Sequence, residues 1–286
     1  MGNNEIVRVE NTIEKHYSSF VSTPCDRGDN EFEFITYLWN RGCRCIPKAI
    51  SYDGQKDIGI YSFVKGKLIP QKDVTQEDID VAFNFLEYVY KATENDLNKF
   101  WLAKEFCLIA PDYINIFAKR INKLEEQLTK DDYDKQAKDI LERKIKKIFD
   151  RETKRYSEKV RNNVNRLRMN IGDFGFHNIL KNRKNYTFID FEYSGIDDVI
   201  KQGLYFATGP YHIDVNEDIM KGFEKTFKDK ILTEEERKRY DATKPLVNLH
   251  FALIQLNFLL PNFMHQSKEF KEGRLEMLNR YLERLK

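Results

Sequence analysis

Between Glu5 and Gly66 the apolar pattern switches from period two to helical spacing and back, and that switch constrains the fold more than any other feature of the chain. Glu5 to Glu10 (EIVRVE) and Thr12 to Tyr17 (TIEKHY) alternate around Asn11, which predicts a hairpin. Phe32, Ile35, Leu38 and Trp39 then recur at helical spacing, predicting a helix over Asp29 to Asn40 that stops at Gly42. Pro47 and the Tyr52-Asp53-Gly54 turn lead back to a strand over Ile58 to Val64, closed by Gly66. Strand, strand, helix, strand, strand in so short a stretch buries its apolar faces as a small sheet with one helix against it.

After Pro70 the pattern is helical. Val81, Phe85, Tyr88 and Val89 predict a helix over Glu77 to Thr93. Pro111 opens a charged stretch, Tyr113 to Arg166, rich in opposite charges four residues apart. Glu and Asp are mixed throughout its Lys and Arg, which predicts a pair of solvated amphipathic helices and not a nucleic-acid-binding arm. Helical character returns from Glu217 to the end, with an apolar, aromatic segment at Leu246 to Leu260. One short β-like island interrupts these blocks: Ile179-Leu180 and Tyr186 to Phe191, around a turn at Lys181 to Asn185. The expected architecture is α+β in two lobes. Residues 1–67 form a small antiparallel sheet with one helix, residues 68–286 a mostly helical lobe, and a hinge falls near residues 64 to 70.

Composition narrows the class. Over 286 residues, 48 Lys plus Arg face 46 Asp plus Glu, a formal charge of +2, so no electrostatic footprint for nucleic acid is present. No apolar run is long enough to span a bilayer, and the first residues carry no signal-peptide pattern. Cys25, Cys43, Cys45 and Cys107 make no disulfide framework in a chain of this length, and Cys43-Arg44-Cys45 has the wrong spacing for a zinc knuckle. The expectation is a cytoplasmic protein with reduced thiols and neither a nucleic-acid nor a membrane partner.

The island carries the chemistry. Gly172-Asp173-Phe174-Gly175-Phe176-His177-Asn178-Ile179-Leu180 is followed by Phe188-Ile189-Asp190-Phe191-Glu192-Tyr193. Phosphoryl transfer from a nucleotide needs one carboxylate at the acceptor hydroxyl, and oxygen ligands that hold magnesium against the phosphates. Asp173 suits the first task, and Asn178 with Asp190 suits the second, because the hairpin returns Asp190 to the side of Asn178. Asp173-Phe174-Gly175 imitates the metal-binding triplet of protein kinases. With Asn178 and the later Asp190 in place, however, Asp173 takes the catalytic-loop position.

These residues resemble the signature of the aminoglycoside phosphotransferase/choline kinase-like family, small-molecule kinases of protein-kinase-like fold. Its Asp-x-x-x-x-Asn is matched by Asp173 and Asn178, and its apolar-Asp-aromatic-acid segment by Ile189-Asp190-Phe191-Glu192. The tail of the signature appears as Tyr193-Ser194-Gly195-Ile196-Asp197-Asp198, and GDFGFHNIL with IDFEYSGIDD looks like a bacterial branch of uncharacterised phosphotransferases. The resemblance implies that Lys15, on one strand face with Ile13 and Tyr17, contacts the nucleotide phosphates and pairs with a helix Glu. Register from Leu38 and Gly42 selects Glu31 over Glu33. Ile60 to Gly66 resembles the strand leading to the hinge, where the backbone of Ser62 and Val64 would bind adenine. ATP and Mg2+ are the implied cosubstrate and metal, and a small hydroxylated molecule (an aminoglycoside, sugar or amino alcohol) is the implied acceptor.

Two departures stand out. The family's glycine- or serine-containing turn over the phosphates is reduced here to Asn3-Asn4, and the His that often precedes Gly-Asp is Ile171. The shortened turn motivates an alternative, a catalytically weak or inactive pseudokinase-like module that binds nucleotide. Protein-kinase activity is disfavoured, because no activation segment ending in Ala-Pro-Glu follows Asp190. His177 is expected to be structural. Tyr205, Phe206, Tyr211, His212, Asp214, Phe251 and Phe258 are candidate pocket residues, most of them expected in the core.

Overall fold

The computed structural model describes residues 4–17, 26–128, 132–161, 163–260 and 267–286; Asn3 and Cys25 lie outside them. The chain is α+β, with a small antiparallel sheet in its N-terminal lobe and a helical C-terminal lobe. By proximity of Cα atoms it divides into two compact units. One comprises Met1–Phe106, Arg166–Ala207 and Tyr211–Lys230; the other comprises Cys107–Asn165, Thr208–Pro210 and Ile231–Lys286.

The first unit opens with the expected hairpin, β1 (Glu5–Val9) and β2 (Thr12–His16), in a sheet ordered β1-β2-β4-β3 with β3 at Ala49–Asp53 and β4 at Ile58–Ser62. Glu10 turns the hairpin in the left-handed region, φ 53°. Helix α1 spans Arg27–Asn40, two residues earlier than the periodicity predicts, because Asp26 caps it by accepting from the amides of Gly28 and Asp29. The earlier start matters: Arg27, Glu31, Phe34, Ile35 and Leu38 then share the buried face, whereas Phe32 and Trp39 sit at its half-exposed edges.

Helix α2 (Gln76–Thr93) begins with a reciprocal capping box between Thr75 and Asp78. The same Asp78 carboxylate accepts from Lys181 Nζ at 2.6 Å and Tyr186 OH at 2.5 Å, tying α2 to a three-stranded sheet β5-β7-β8. Its strands are β5 (Lys67–Leu68), β7 (Ile179–Asn182) and β8 (Asn185–Phe188). Burial alone would raise the Asp78 carboxyl, but the hydrogen bonds from Lys181, Tyr186 and Thr75 hold it down at about 2.

A two-stranded ribbon, β6 (Leu167–Asn170) with β9 (Gly195–Asp198), and helix α6 (Val199–Thr208) were not anticipated. LRMN and GIDD have no strand signature, and GIDD is buried along its whole length by tertiary packing. The β-like island is also shorter than expected: β8 ends at Phe188, so Ile189 to Phe191 leave the sheet as the chain turns. Helix α7 (Glu217–Ile231) follows, with Phe223 on Phe206 and Phe83.

The second unit is helical apart from an isolated Ile109–Val164 bridge. Most of the charged stretch forms α3 (Pro111–Gln127), α4 (Asp132–Ile140) and α5 (Lys146–Lys159), with a π-helical turn at Leu141–Ile145 where two helices were expected. The buried stripes of α3 and α5 meet α8 (Glu234–Asn257), whose Leu246–Leu256 segment is buried nearly all round, and α9 (Lys268–Glu283) packs on α8. Among the described residues no helix is long and apolar enough to cross a membrane.

Candidate active site

Every residue singled out for chemistry falls in the first unit. On β2, Ile13, Lys15 and Tyr17 share a face by strand alternation, and the β1 register places Ile6 opposite Lys15 and Arg8 opposite Ile13. Lys15 is 6% exposed, and its ammonium donates to Glu31 Oε2 and to Asp190 Oδ1, both at 2.6 Å. Glu192 Oε2 stands a further contact away at 3.3 Å. Burial disfavours the ammonium, but Glu31, Asp190 and Glu192 outweigh it and hold the Lys15 pKa well above the usual lysine range. Glu33, the rejected partner, is exposed.

Glu31 does more than pair with Lys15. Its Oε2 also accepts from Tyr17 OH at 2.7 Å, and its Oε1 accepts the Phe191 amide at 2.9 Å. Helix α1 therefore fixes both the lysine and the backbone just beyond Asp190. That backbone is unusual: Asp190 has φ 66°, a left-handed conformation that aspartate tolerates better than most residues. The turn sends the Asp190 carboxylate to Lys15 and buries Phe191 completely, edge-on to Phe34 at 5.5 Å.

In the sequence Glu192 stands out only as the acid of the signature segment, and Arg27 and Asn30 do not stand out at all. Arg27 Nη1 donates to Glu192 Oε1 at 3.0 Å, and both side chains are 3% exposed. Asn4 Nδ2 donates to Glu192 Oε2 at 2.5 Å, and Asn30 Nδ2 reaches the carbonyls of Glu192 and Ser194. A signal was present: Arg27 lies four residues before Glu31, hence on the same helix face. The late predicted start of α1 hid it.

The Asp173–Asn178 loop is built on buried aromatics. Phe174 and Phe176 insert into an aromatic cluster with Phe206, and Phe174 also lies near Phe85 and Phe188, which stack at 3.9 Å. Each buried phenylalanine contributes about 1.5–3 kcal/mol, enough to pin the loop and leave the preceding Asp173 outward. Its side chain is 48% exposed. Gly172, φ +86°, admits no side chain, because a Cβ there would stand 2.7 Å from the Tyr193 carbonyl carbon. Ile171 and Gly172 amides are held by Gln202 Oε1 and Asn170 Oδ1. Asn178 Nδ2 donates to Asp173 O at 2.8 Å, and the Ile189 amide donates to Asn178 O at 3.0 Å, so the hairpin does bring Asp173, Asn178 and the Asp190 segment into one neighbourhood.

The remaining expectations divide. Ser62 ends β4 with its amide donated to Lys48 O at 2.9 Å, and Val64 follows beyond the strand. Phe206 and His212 are buried in the core, and Tyr211 is 42% exposed. Phe251 and Phe258 belong to the other unit.

A donor set of this kind fits a hard divalent cation. Glu31, Asp190 and Glu192 offer carboxylate oxygens within 4.8 Å of one another, and three carboxylates against Lys15 and Arg27 leave an excess negative charge. Asn178 commits Nδ2 to Asp173 O, which leaves its Oδ1 as a hard oxygen that a cation could take.

The chain shares its protein-kinase-like fold with solved small-molecule phosphotransferases. Among solved structures the chain resembles spectinomycin phosphotransferase in complex with ADP and spectinomycin, with TM-score 0.64 and 13% identity over 99% of this chain and 86% of that one. It also resembles choline kinase from Streptococcus pneumoniae (TM-score 0.59, 12% identity, 99% and 90% covered). The GDP complex of aminoglycoside 2'-phosphotransferase-IIIa gives TM-score 0.58 at 13% identity, with 99% and 90% covered. No protein-family model matches the chain, and no curated protein matches it in sequence. The likeness is therefore one of fold.

Proposed function

We propose that the protein is a magnesium-dependent phosphotransferase that moves the γ-phosphoryl group of ATP to a hydroxyl of a small molecule. The observation that carries this reading is the Lys15 ammonium held at 2.6 Å from both Glu31 and Asp190, in the same unit as the Asp173–Asn178 loop. A lysine so fixed presents a permanent positive charge to phosphate oxygens, with its orientation set before the nucleotide arrives. Ile6 and Ile13 share its face of the sheet and leave apolar surface beside it for a base. At the hinge, the Ser62 amide is already committed to Lys48, so an adenine contact at Ser62 uses its carbonyl, with the Val64 amide as the complementary donor.

Asn178 and Asp190 would hold the magnesium, which would supply positive charge against the triphosphate. Asp173 orients the acceptor hydroxyl and accepts its proton as the hydroxyl oxygen attacks the γ-phosphorus and the bond to the β-phosphate oxygen breaks. ADP and the phosphorylated acceptor are the products. The reading is tested by ATP consumption across a panel of aminoglycosides, sugars and amino alcohols, with GTP run in parallel. Turnover with at least one acceptor is expected, and Asp173→Ala should lower it about 10²–10⁴-fold, the usual worth of a general base. Near-normal transfer by Asp173→Ala would remove Asp173 as the base. MgATP stabilisation of the fold with no turnover on any acceptor would favour a nucleotide-binding module without transferase activity.

A further inference from the structure

We infer that His177 is a positioning residue for Asp173, and that Tyr211 holds His177 in place. This rests on the phosphotransferase reading and adds to it two residues outside the base and the metal ligands. His177 Nε2 lies 3.0 Å from Asp173 Oδ2, so the imidazole grips one oxygen of a carboxylate that is otherwise half in solvent. A carboxylate oxygen at that distance requires a donor, which places the ring proton on Nε2. The second contact of Nε2, Asn178 Nδ2 at 3.1 Å, then needs no hydrogen bond, because that amide already donates to Asp173 O. Among the described residues His177 Nδ1 is buried without a partner; as the bare lone pair of this tautomer it is the cheaper group to leave so.

The ring is fixed on two sides. Tyr211 stacks on it with centroids 3.4 Å apart and planes at 20°. Behind the loop, His212 packs on Phe206 at 4.2 Å and on Phe176 at 5.4 Å, and its Nε2 accepts the Phe176 amide at 3.4 Å. Burial first, and then the neighbouring His177, push the His212 pKa down to about 3, so it forms a neutral wall. Gly175 makes room for both rings: a Cβ there would meet His177 Nδ1 at 2.9 Å and His212 Cε1 at 3.0 Å.

With Oδ2 held by His177 and the backbone held by Asn178 and the buried phenylalanines, Asp173 keeps Oδ1 for the acceptor hydroxyl and loses its freedom to rotate. Misplacement of a reacting group by about 1 Å costs about 10²-fold in rate, and that sets the scale of the effect.

The test compares His177→Ala, His177→Gln and Tyr211→Ala with the wild type, using ATP and the best acceptor of the panel. His177→Ala should lower kcat about 10- to 100-fold, with the KM for ATP and the MgATP thermal shift unchanged. His177→Gln keeps an N–H donor and should recover most of kcat, a rescue that a merely structural role would not give. Tyr211→Ala should lower kcat by less. NMR of the labelled His177 ring provides a readout that needs no acceptor. The upfield ring-current shift from Tyr211 should vanish in Tyr211→Ala and persist in Tyr211→Phe, and the Nε2 resonance should move in Asp173→Asn. A kcat within twofold of wild type in His177→Ala, no rescue by Gln, or a His177 spectrum indifferent to Tyr211 and Asp173 would overturn the inference. Absence of turnover in the wild type would count against the phosphotransferase reading instead, and the spectrum would still report whether the contact exists.

Discussion

Around Lys15 the charged side chains are matched to one another and, apart from the 37% exposed Asp190, withdrawn from water. Glu31 is 4% exposed, Arg27 and Glu192 are each 3% exposed, and every one has an opposite charge or a phenol on it. Around Asp173 the arrangement is reversed: the backbone is locked by buried aromatics and side-chain acceptors, while the carboxylate itself faces outward with one imidazole on it. The contrast teaches how two tasks are divided. A group that must meet a triphosphate benefits from charge assembled in advance, because the cost of orienting it falls on the fold. A group that must meet a variable hydroxyl has to stay reachable, so rigidity is supplied beneath it. The buried cluster should therefore control folding and nucleotide binding, and the loop should control turnover.

The largest expected effect on stability is in the cluster. Arg27→Met leaves the Glu192 carboxylate buried without its guanidinium, and removing one member of a buried ion pair costs about 3–5 kcal/mol. Asp173→Ala, at a half-exposed position, should change stability by no more than about 0.5 kcal/mol. Urea unfolding of the two variants checks the pair, and a loss below about 1 kcal/mol for Arg27→Met would mean that the cluster is not the pre-assembled element argued above.

How much of this was visible in the sequence differs between the two regions. The loop was legible almost entirely, because Asp173, Asn178 and Asp190 sit on a local motif whose spacing alone brings them together. Lys15 and its pairing with a helix acid came from the family resemblance, and strand alternation and helical register only placed Lys15 on its face and chose Glu31 over Glu33. What stayed hidden depends on contacts between distant segments. Arg27 pairs with Glu192 across 165 positions, and Asn30 grips the carbonyl of Ser194 across 164. The β6–β9 ribbon was hidden for a related reason, since its residues have little strand propensity and its pairing is fixed by tertiary context. The aromatic content was read correctly as mostly core, but only the packing separates buried Phe206 and His212 from exposed Tyr211.

A smaller effect is expected at Asp78, which joins α2 to the hairpin carrying the metal-ligand candidates. Its folded pKa of about 2 lies below the ordinary value of 3.8, so its contribution is full near neutrality and is lost as pH falls through about 2. The difference amounts to stability on the order of 2 kcal/mol. Asp78→Asn should therefore be less stable than wild type at pH 7, with the gap shrinking below about pH 4 and closing only below about pH 2. Denaturation midpoints across pH measure this directly, and a constant gap down to pH 2 would show that the carboxylate is not held by charge.

The most direct measurement of the central claim is MgATP binding, by calorimetry, to the wild type, Asp190→Ala and Asp173→Ala. If Lys15, Asn178 and Asp190 grip the magnesium nucleotide while Asp173 serves the acceptor, wild type and Asp173→Ala bind with affinities within about threefold. Asp190→Ala should then bind at least about tenfold more weakly, the loss usual when a metal site is disturbed. Equal binding by all three variants, or a loss confined to Asp173→Ala, would contradict it.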